Sequence, residues 1–369
     1  MTTHPPAVRV GIIGTGGIAH AHAAAIADLT GEMELVVVAD IDADRAAAFA
    51  ARYGATAVTD AEELLAVEGL GLVHICTPPG THAPLAIAAM RAGVPALVEK
   101  PTALSLAELD EIARVEAETG VPTLTVFQHR FGPAAVHLRR MIDDGDLGRA
   151  LVATCETLWY RDDEYFAVPW RGRWEVEGGG PTMGHGIHQF DLLLSLLGPW
   201  AEVTAIAARQ TRPTDTEDVS AALVRFKSGA VATVVNSLVS PHETSRLRLD
   251  FEHASVELRH VYGYTTDDWT FTPAPGHEEL AERWAAGPSA ARASAHRDQF
   301  AALAAALREG GTPPVALSDA RRTLEFAAAT YASAFRGEAV AAGRIVDGDP
   351  FHTSMSGGLV PWPPRKEKA

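Results

Sequence analysis

Val8-Arg9-Val10-Gly11-Ile12-Ile13-Gly14-Thr15-Gly16-Gly17-Ile18-Ala19 is the stretch that decides the fold. An apolar strand runs directly into Gly-x-Gly-x-x-Ala, and a helical pattern follows. The first glycine permits a tight turn, the second leaves room for a pyrophosphate, and the small third residue lets the helix pack on the strand. A helix starting beside Gly17 offers free backbone N–H groups and a positive dipole end to that phosphate. The stretch predicts a dinucleotide site with Gly14, Gly16, Gly17 and Ile18 against the cofactor.

Outward from this turn, short apolar strands alternate with amphipathic helical runs as far as Phe127, the pattern of a parallel sheet with crossover helices. Strands are expected at Val8 to Ile13, Glu34 to Asp40, Leu72 to Thr77, Ala96 to Glu99 and Thr123 to Phe127. Helices are expected from Ile18, Asp44, Ala61, Ala83 and Leu106. Asp40 ends the second strand, where an acid bonds the ribose hydroxyls of NAD and repels the 2′-phosphate of NADP. NAD is therefore expected over NADP. Arg45 either reaches a cofactor phosphate or pairs with Asp42 or Asp44. Thr77 and Pro78 close the third strand against the cofactor, while His82 either caps the next helix or touches a ligand. The fourth strand runs into Glu99-Lys100-Pro101, which places Lys100 at the same carboxyl edge, and Pro101 keeps that lysine extended. Glu99 and Lys100 are both assigned to the cofactor end.

Beyond Arg130 the rhythm changes. One helix, Pro133 to Asp143, precedes long alternating strands at Leu151 to Tyr160, Ala201 to Gln210, Val219 to Phe226, Ala230 to Ser237 and Arg246 to Phe251. Lys227-Ser228-Gly229 reads as a hairpin turn, so the second sheet is expected to be open and mainly antiparallel. Helices at Ala291 to Arg308 and Ser318 to Phe335 follow. The expected division is a Rossmann domain over 1–128, a substrate-binding and oligomerisation α/β domain over 129–345, and a tail over 346–369.

Composition narrows the partners. The 369 residues carry 31 lysines and arginines against 47 acids, a net charge of −16, which repels nucleic acid and anionic lipid. The two cysteines, Cys76 and Cys155, lie in apolar runs and read as reduced core thiols of a cytoplasmic protein. Met1 to Pro6 has no signal-peptide pattern, and no apolar run is long enough to span a membrane.

Four motifs taken together resemble the Gfo/Idh/MocA family, the relatives of glucose–fructose oxidoreductase and inositol dehydrogenase. They are the glycine turn, Thr77-Pro78 with His82, Glu99-Lys100-Pro101, and Gly178-Gly179-Gly180 leading to Gly186-Ile187-His188-Gln189-Phe190-Asp191. The resemblance implies a Rossmann domain plus an α/β domain whose open sheet supports a homodimer or homotetramer. It assigns Lys100 to the reacting hydroxyl or carbonyl, where a cation stabilises the developing alkoxide, and His188 to acid–base work near the substrate. Asp191, three residues on, is placed to orient His188, and the glycines let the chain pass close to substrate.

The sequence departs from the family at Gly184, where catalytic members often carry aspartate. His185 or Glu177 is the candidate replacement. A His185–His188 metal pair has no clear third ligand, so no metal is expected. The aromatic, arginine and acid run around Tyr160, Arg161, Trp170 and Arg171 suits either a sugar platform or a lid or interface. Gln128, His129 and Arg130 close the last Rossmann strand toward the substrate, and His296 begins a late helix as a further contact. The leading expectation is an NAD-dependent oxidoreductase acting on a secondary alcohol of a sugar, cyclitol or polyol. The alternatives are redox-neutral, NAD-assisted glycoside cleavage and a non-catalytic dinucleotide-binding regulator.

Overall fold

The computed structural model describes residues 6–287 and 294–365. The chain forms two compact units. The first takes the chain up to Ala103, Glu108–Val126 and Ala295–Arg321; the second takes Leu104–Ala107, Phe127–Ser294 and the chain from Arg322 onward.

The first unit is a parallel sheet of β1 (Val8–Ile13), β2 (Met33–Ala39), β3 (Thr56–Val58), β4 (Leu72–Ile75), β5 (Ala96–Val98) and β6 (Thr123–Thr125). Its order is β3-β2-β1-β4-β5-β6. Connections run through α1 (Gly17–Ala27), α2 (Ala43–Tyr53), α3 (Ala61–Leu65), α4 (His82–Arg91) and α5 (Leu106–Thr119). The order reverses between β1 and β4, and ligands of such sheets bind beyond the carboxyl ends at that switch point. In this sheet β3 lacks a counterpart among the expected strands; its Thr56 and Ala57 are exposed, so no buried run marks it as one marks β5 and β6. Both faces of the sheet are covered, which is why Val36, Val37 and Val38 run without alternation. One face packs Ile12, Ala23, Ile26 and Phe49 against Phe300, Leu303 and Ala304; the other joins Ile13, Val73 and Ile75 to Ala86 and Ala89.

Those last aromatic and aliphatic contacts belong to α11 (His296–Glu309). A boundary at residue 129 assigned this helix to the second domain, whereas it packs on the Rossmann sheet. Burial of Phe300 alone stabilises that docking by roughly 2 kcal/mol. The expected start at Ala291 lies outside the described residues.

The second unit begins with α6 (Pro133–Asp143) and includes β7 (Ala150–Tyr160), the short α7 (Asp163–Phe166) and α8 (Trp174–Glu177), and α9 (Ile187–Leu197). Its further strands are β8 (Trp200–Ala208), β9 (Val219–Phe226), β10 (Val231–Ser237), β11 (Val239–Phe251), β12 (Ala254–His260) and β13 (Trp269–Pro273). After α10 (Glu279–Ala285) come α12 (Leu317–Arg336), β14 (Val340–Ala341) and α13 (Pro350–Thr353). The sheet order is β13-β12-β11-β7-β10-β9-β8-β14. All its pairs are antiparallel except β10 with β7. The hairpin turns at Gly229, whose φ of 94° requires glycine.

One face of this sheet is buried, as Ser220, Ala222, Val224 and Phe226 of β9 illustrate. The other leaves Leu151, Val152, Ile206, Leu223 and Val231 exposed. The described part of the expected tail, from residue 346 to Arg365, is tied to the second unit. Phe351 and Met355 are buried, and Trp362 Nε1 donates to Asp215 O at 2.8 Å. Among the described residues, no helix is long and apolar enough to cross a membrane.

Candidate active site

Gly14 turns the chain with φ 87°, and a Cβ there would lie 2.8 Å from Thr77 Cγ2 and 2.9 Å from Cys76 C. The turn after β1 is thus pressed against the end of β4. Gly16 and Gly17 differ: each is exposed, and nothing lies within 4 Å of a Cβ at either position. No side chain caps α1, while Ala19 is fully buried beneath it. The residues fit a dinucleotide pyrophosphate.

Asp40 is more committed than its position indicated. Its Oδ2 accepts from Thr15 N at 2.8 Å, Thr15 Oγ1 at 2.8 Å and Arg45 Nε at 3.0 Å. Its Oδ1 accepts from Asp42 N at 3.0 Å and Arg45 Nη2 at 2.5 Å. Burial pushes this carboxyl up, but Arg45 and the N–H donors of Asp42 and Thr15 outweigh burial and hold it well below the usual range. Arg45 also lies 3.4 Å from Asp42. Its expected partners were a phosphate, Asp42 or Asp44; the structure adds Asp40 itself.

Thr77 remains at the loop surface, receiving a 2.6 Å hydrogen bond from Thr81 Oγ1, and Pro78 is exposed. His82, expected to cap a helix or touch a ligand, instead meets backbone carbonyls with both ring nitrogens. It is buried, with Nδ1 2.7 Å from Pro101 O and Nε2 2.8 Å from Thr77 O, so it ties the loop after β4 to the loop after β5. Glu99, expected at the cofactor, has both carboxylate oxygens engaged by neighbouring protein groups. Its Oε1 sits 2.8 Å from His22 Nε2 and 3.4 Å from His296 Nε2, and its Oε2 accepts from Lys100 N at 3.1 Å. His296, expected to touch substrate, is therefore a core residue. Behind them His22 Nδ1 is 3.0 Å from His74 Nδ1 and 3.4 Å from Cys76 Sγ.

His22, Glu99 and His296 offer ligand atoms within 4.8 Å of one another. The 2.8 Å His22–Glu99 separation is a hydrogen-bond length, shorter than the roughly 3.3 Å between two ligands of a tetrahedral zinc with ~2.0 Å bonds. Burial raises the Glu99 carboxyl, but hydrogen bonds from His22 and His296 outweigh it and leave the group ionised. Burial lowers His22 and His74, which stay neutral.

In the second unit, His188 lies on the first turn of α9, just after a π turn at Thr182–Gly186 that carries His185. Such extra-residue turns recur at functional sites. His188 is buried, its ring 5.1 Å from that of His129 and 5.7 Å from the half-exposed Tyr262. Gln189 Nε2 meets His260 Nε2 at 2.5 Å. Asp191, expected to orient His188, instead accepts both ends of the Arg130 guanidinium at 2.7 and 2.6 Å and Thr323 Oγ1 at 2.8 Å. Arg130 is thereby a clamp on α9. Gln128 is buried, with Oε1 lacking a hydrogen-bond partner.

His185 gathers the aromatic stretch. Its Nε2 is 3.4 Å from Tyr165 Oη, and its ring meets Trp159 edge-on at 5.2 Å. Arg171 lies over Tyr165 at 4.0 Å and Trp170 at 4.4 Å, and Arg161 over Trp159 at 4.9 Å. Tyr160 does not join them. Alternation along β7 sends Trp159 to one face and Tyr160 to the other, where it stacks with Arg212 at 4.7 Å. Glu177 accepts from Gly172 N at 2.5 Å, so that carboxylate braces its own loop. A Cβ at Gly184 would have nothing within 4 Å.

The glycines before the π turn serve packing rather than substrate approach. A Cβ on Gly179 would sit 2.0 Å from Tyr331 Oη, and one on Gly180 1.9 Å from Glu217 O. Glu217 was not recognised in the sequence. It is buried and accepts from Gly180 N at 2.9 Å, Thr182 N at 3.1 Å and Tyr331 Oη at 2.8 Å. Burial pushes its carboxyl up to about 7, against the pull of those donors. Its only sequence signal is a polar run before β9, which does not tell a buried acid from a loop acid. Tyr262 was missed for a similar reason, sitting beside Gly263 in what reads as a turn.

A Rossmann sheet with an open phosphate turn and a lysine at its carboxyl edge defines a dinucleotide-dependent oxidoreductase. Residues 8–127 match the oxidoreductase family with the NAD-binding Rossmann fold, and residues 135–257 match the GFO/IDH/MocA C-terminal domain. The chain belongs to the Gfo/Idh/MocA family. It is 29% identical to D-apiose dehydrogenase of Paraburkholderia graminis over 97% of this chain and 96% of that one. It is 32% identical to the scyllo-inositol 2-dehydrogenase (NAD(+)) of Bacillus subtilis, over 64% of this chain and 68% of that one. The WlbA dehydrogenase of Chromobacterium violaceum, solved with NADH and UDP-GlcNAcA, superimposes with a TM-score of 0.81 at 26% identity, covering 94% of this chain and all of the other.

Proposed function

We propose that this protein is an NAD-dependent dehydrogenase that oxidises a secondary alcohol of a sugar, cyclitol or related polyol, or reduces the corresponding ketone. The observation that carries the reading is the pairing of an unobstructed Gly16-Gly17 turn with Lys100 after β5 of the same sheet. The relatives named for D-apiose and scyllo-inositol oxidation support the substrate class. Gly16, Gly17 and the start of α1 hold the pyrophosphate, and Thr15, Asp40 and Arg45 line the ribose end. The nicotinamide, when bound, supplies the hydride acceptor or donor. Lys100 hydrogen-bonds the reacting oxygen and stabilises negative charge on it. His188 takes or returns the hydroxyl proton, and His185 with Trp159, Tyr165, Trp170, Arg161 and Arg171 supplies apolar faces and polar groups for a polyol.

The exposed apolar strip of the second sheet, Leu151, Val152, Ile206, Leu223 and Val231, supports a homodimer or homotetramer. The two buried free thiols support a reducing, cytoplasmic setting.

The test is a panel of free pentoses, inositols and glucosides with NAD and NADP, followed at the nicotinamide absorbance. NADH should form with free sugars or cyclitols, and Lys100→Met should lower kcat by about 10³-fold while dinucleotide affinity stays within threefold. Turnover undiminished by Lys100→Met would sink the reading, and cleavage of glucosides with no net NADH would move it to redox-neutral chemistry.

A further inference from the structure

We propose that the buried His22–Glu99–His296 cluster is a positioning device for Lys100, in which the Glu99 carboxylate pins the backbone of the lysine and the two imidazoles pin the carboxylate. The inference rests on the role given to Lys100 above.

An ionised Glu99 and a neutral His22 give the hydrogen bonds a consistent assignment. Glu99 is an acceptor on both oxygens: Oε2 accepts from Lys100 N at 3.1 Å, and Oε1 accepts from His22 Nε2 at 2.8 Å, with His296 Nε2 standing at 3.4 Å. A neutral His22 that donates from Nε2 must accept at Nδ1, where His74 Nδ1 stands at 3.0 Å and the Cys76 thiol at 3.4 Å. One negative charge is thus held by a donor from α1, with the His296 ring of α11 3.4 Å away and a second rank on β4 and the loop after it.

This arrangement is expensive as packing. An ionised carboxylate in an interior costs several kcal/mol of desolvation, and apolar residues of similar volume often replace such a group without loss of stability. Phe300 and Leu97 already provide apolar packing in this core. What apolar residues cannot do is hold the Lys100 amide. On its other side the lysine is followed by Pro101, whose carbonyl meets His82 Nδ1 at 2.7 Å. The backbone of Lys100 is therefore fixed on both sides by buried contacts. The side chain begins from a fixed Cα, which is the condition under which a charged group is preorganised toward a reacting atom.

Glu99→Leu, Glu99→Gln, His22→Leu and His22→Gln test the device through hydrogen exchange of the 98–102 segment and through steady-state kinetics. Both leucine variants should speed exchange of the Lys100 amide at least tenfold and lower kcat by about 100-fold, the scale of an ångström-level misplacement. KM and NAD affinity should stay within threefold. Glutamine at 99 keeps an acceptor for the amide, and glutamine at 22 keeps a donor for the carboxylate, so both should recover to within about fivefold of the parent.

Unchanged exchange in Glu99→Leu would overturn the proposal, as would faster exchange with kcat intact. If the glutamine variants fare no better than the leucine ones, and KM rises while NAD affinity and melting temperature fall, the cluster is merely structural. Stoichiometric zinc in the purified protein would also overturn it, since the imidazoles would then be ligands. Lys100→Met run in parallel separates the two claims: full activity there fails the dehydrogenase reading itself, whereas loss there with full activity in Glu99→Leu fails only this inference.

Discussion

Two glycine turns lead into two helices in this molecule, and they owe their glycines to opposite circumstances. At Gly16 and Gly17 an added Cβ would meet nothing within 4 Å; at Gly179, Gly180 and Gly186 it would meet Tyr331, Glu217 and Asn236 at 2.0, 1.9 and 1.9 Å. Gly16 and Gly17 leave open space of the kind the proposed dinucleotide needs. The second turn is bare because the protein itself fills the space, so the turn that presents His185 and His188 is set by packing. A sequence motif written in glycine does not distinguish the two.

The sharpest way to break this contrast is Gly180→Ala. With backbone oxygen Glu217 O in the way, it should destabilise the protein by about 4 kcal/mol, read from denaturant midpoints, and leave the cofactor turn intact. A loss below 1 kcal/mol would mean the second turn has slack and the contrast is false.

Glu217 gives the next largest effect. Its folded pKa of about 7 lies above the ordinary 4.5, so the folded state retains a proton that the unfolded chain releases. Stability from this group is complete below pH 4.5 and declines as pH rises toward 7, by about 3 kcal/mol in total. Unfolding at pH 5 and pH 8 should show that decline in the parent and lose it in Glu217→Gln. An equal slope in both proteins would remove Glu217 as the group that couples the second turn to pH.

Gly16→Val reverses the Gly180 outcome. It should weaken NAD binding about 30-fold, near 2 kcal/mol, with the melting temperature of the free protein unchanged. Lower stability with normal affinity would make the first turn a packed one too.

His185→Ala should lower kcat about tenfold and alter its pH profile, with His188→Ala losing about tenfold more. A His185→Ala enzyme with the parent's rate and profile would leave the π turn as scaffold only.

Much of this was legible in the chain itself. Val8–Ile13 running into Gly14-Thr15-Gly16 specifies a strand, a turn and a helix N-terminus, because each is governed by residues within a few positions of one another. The alternation in Val219–Phe226 and the glycine at 229 likewise fix a half-buried hairpin locally. Even α11 was visible as a helix. Its partner was not, since Phe300 joins the core cluster of Ala23 and Ile26 only when the chain returns to the first sheet.

The site divides in the same way. Lys100 could be picked out because its strand, its edge and its proline neighbour are all local. The directions of Glu99, His82, His296 and Asp191 could not, because each is set by a partner distant in sequence: His22, Pro101, Glu99 and Arg130. Charge and type mark such residues as candidates for chemistry. Whether a carboxylate faces a ligand or a buried histidine depends on which donors the tertiary fold brings within 3 Å, and an unpaired acid in a core is too costly to point anywhere else.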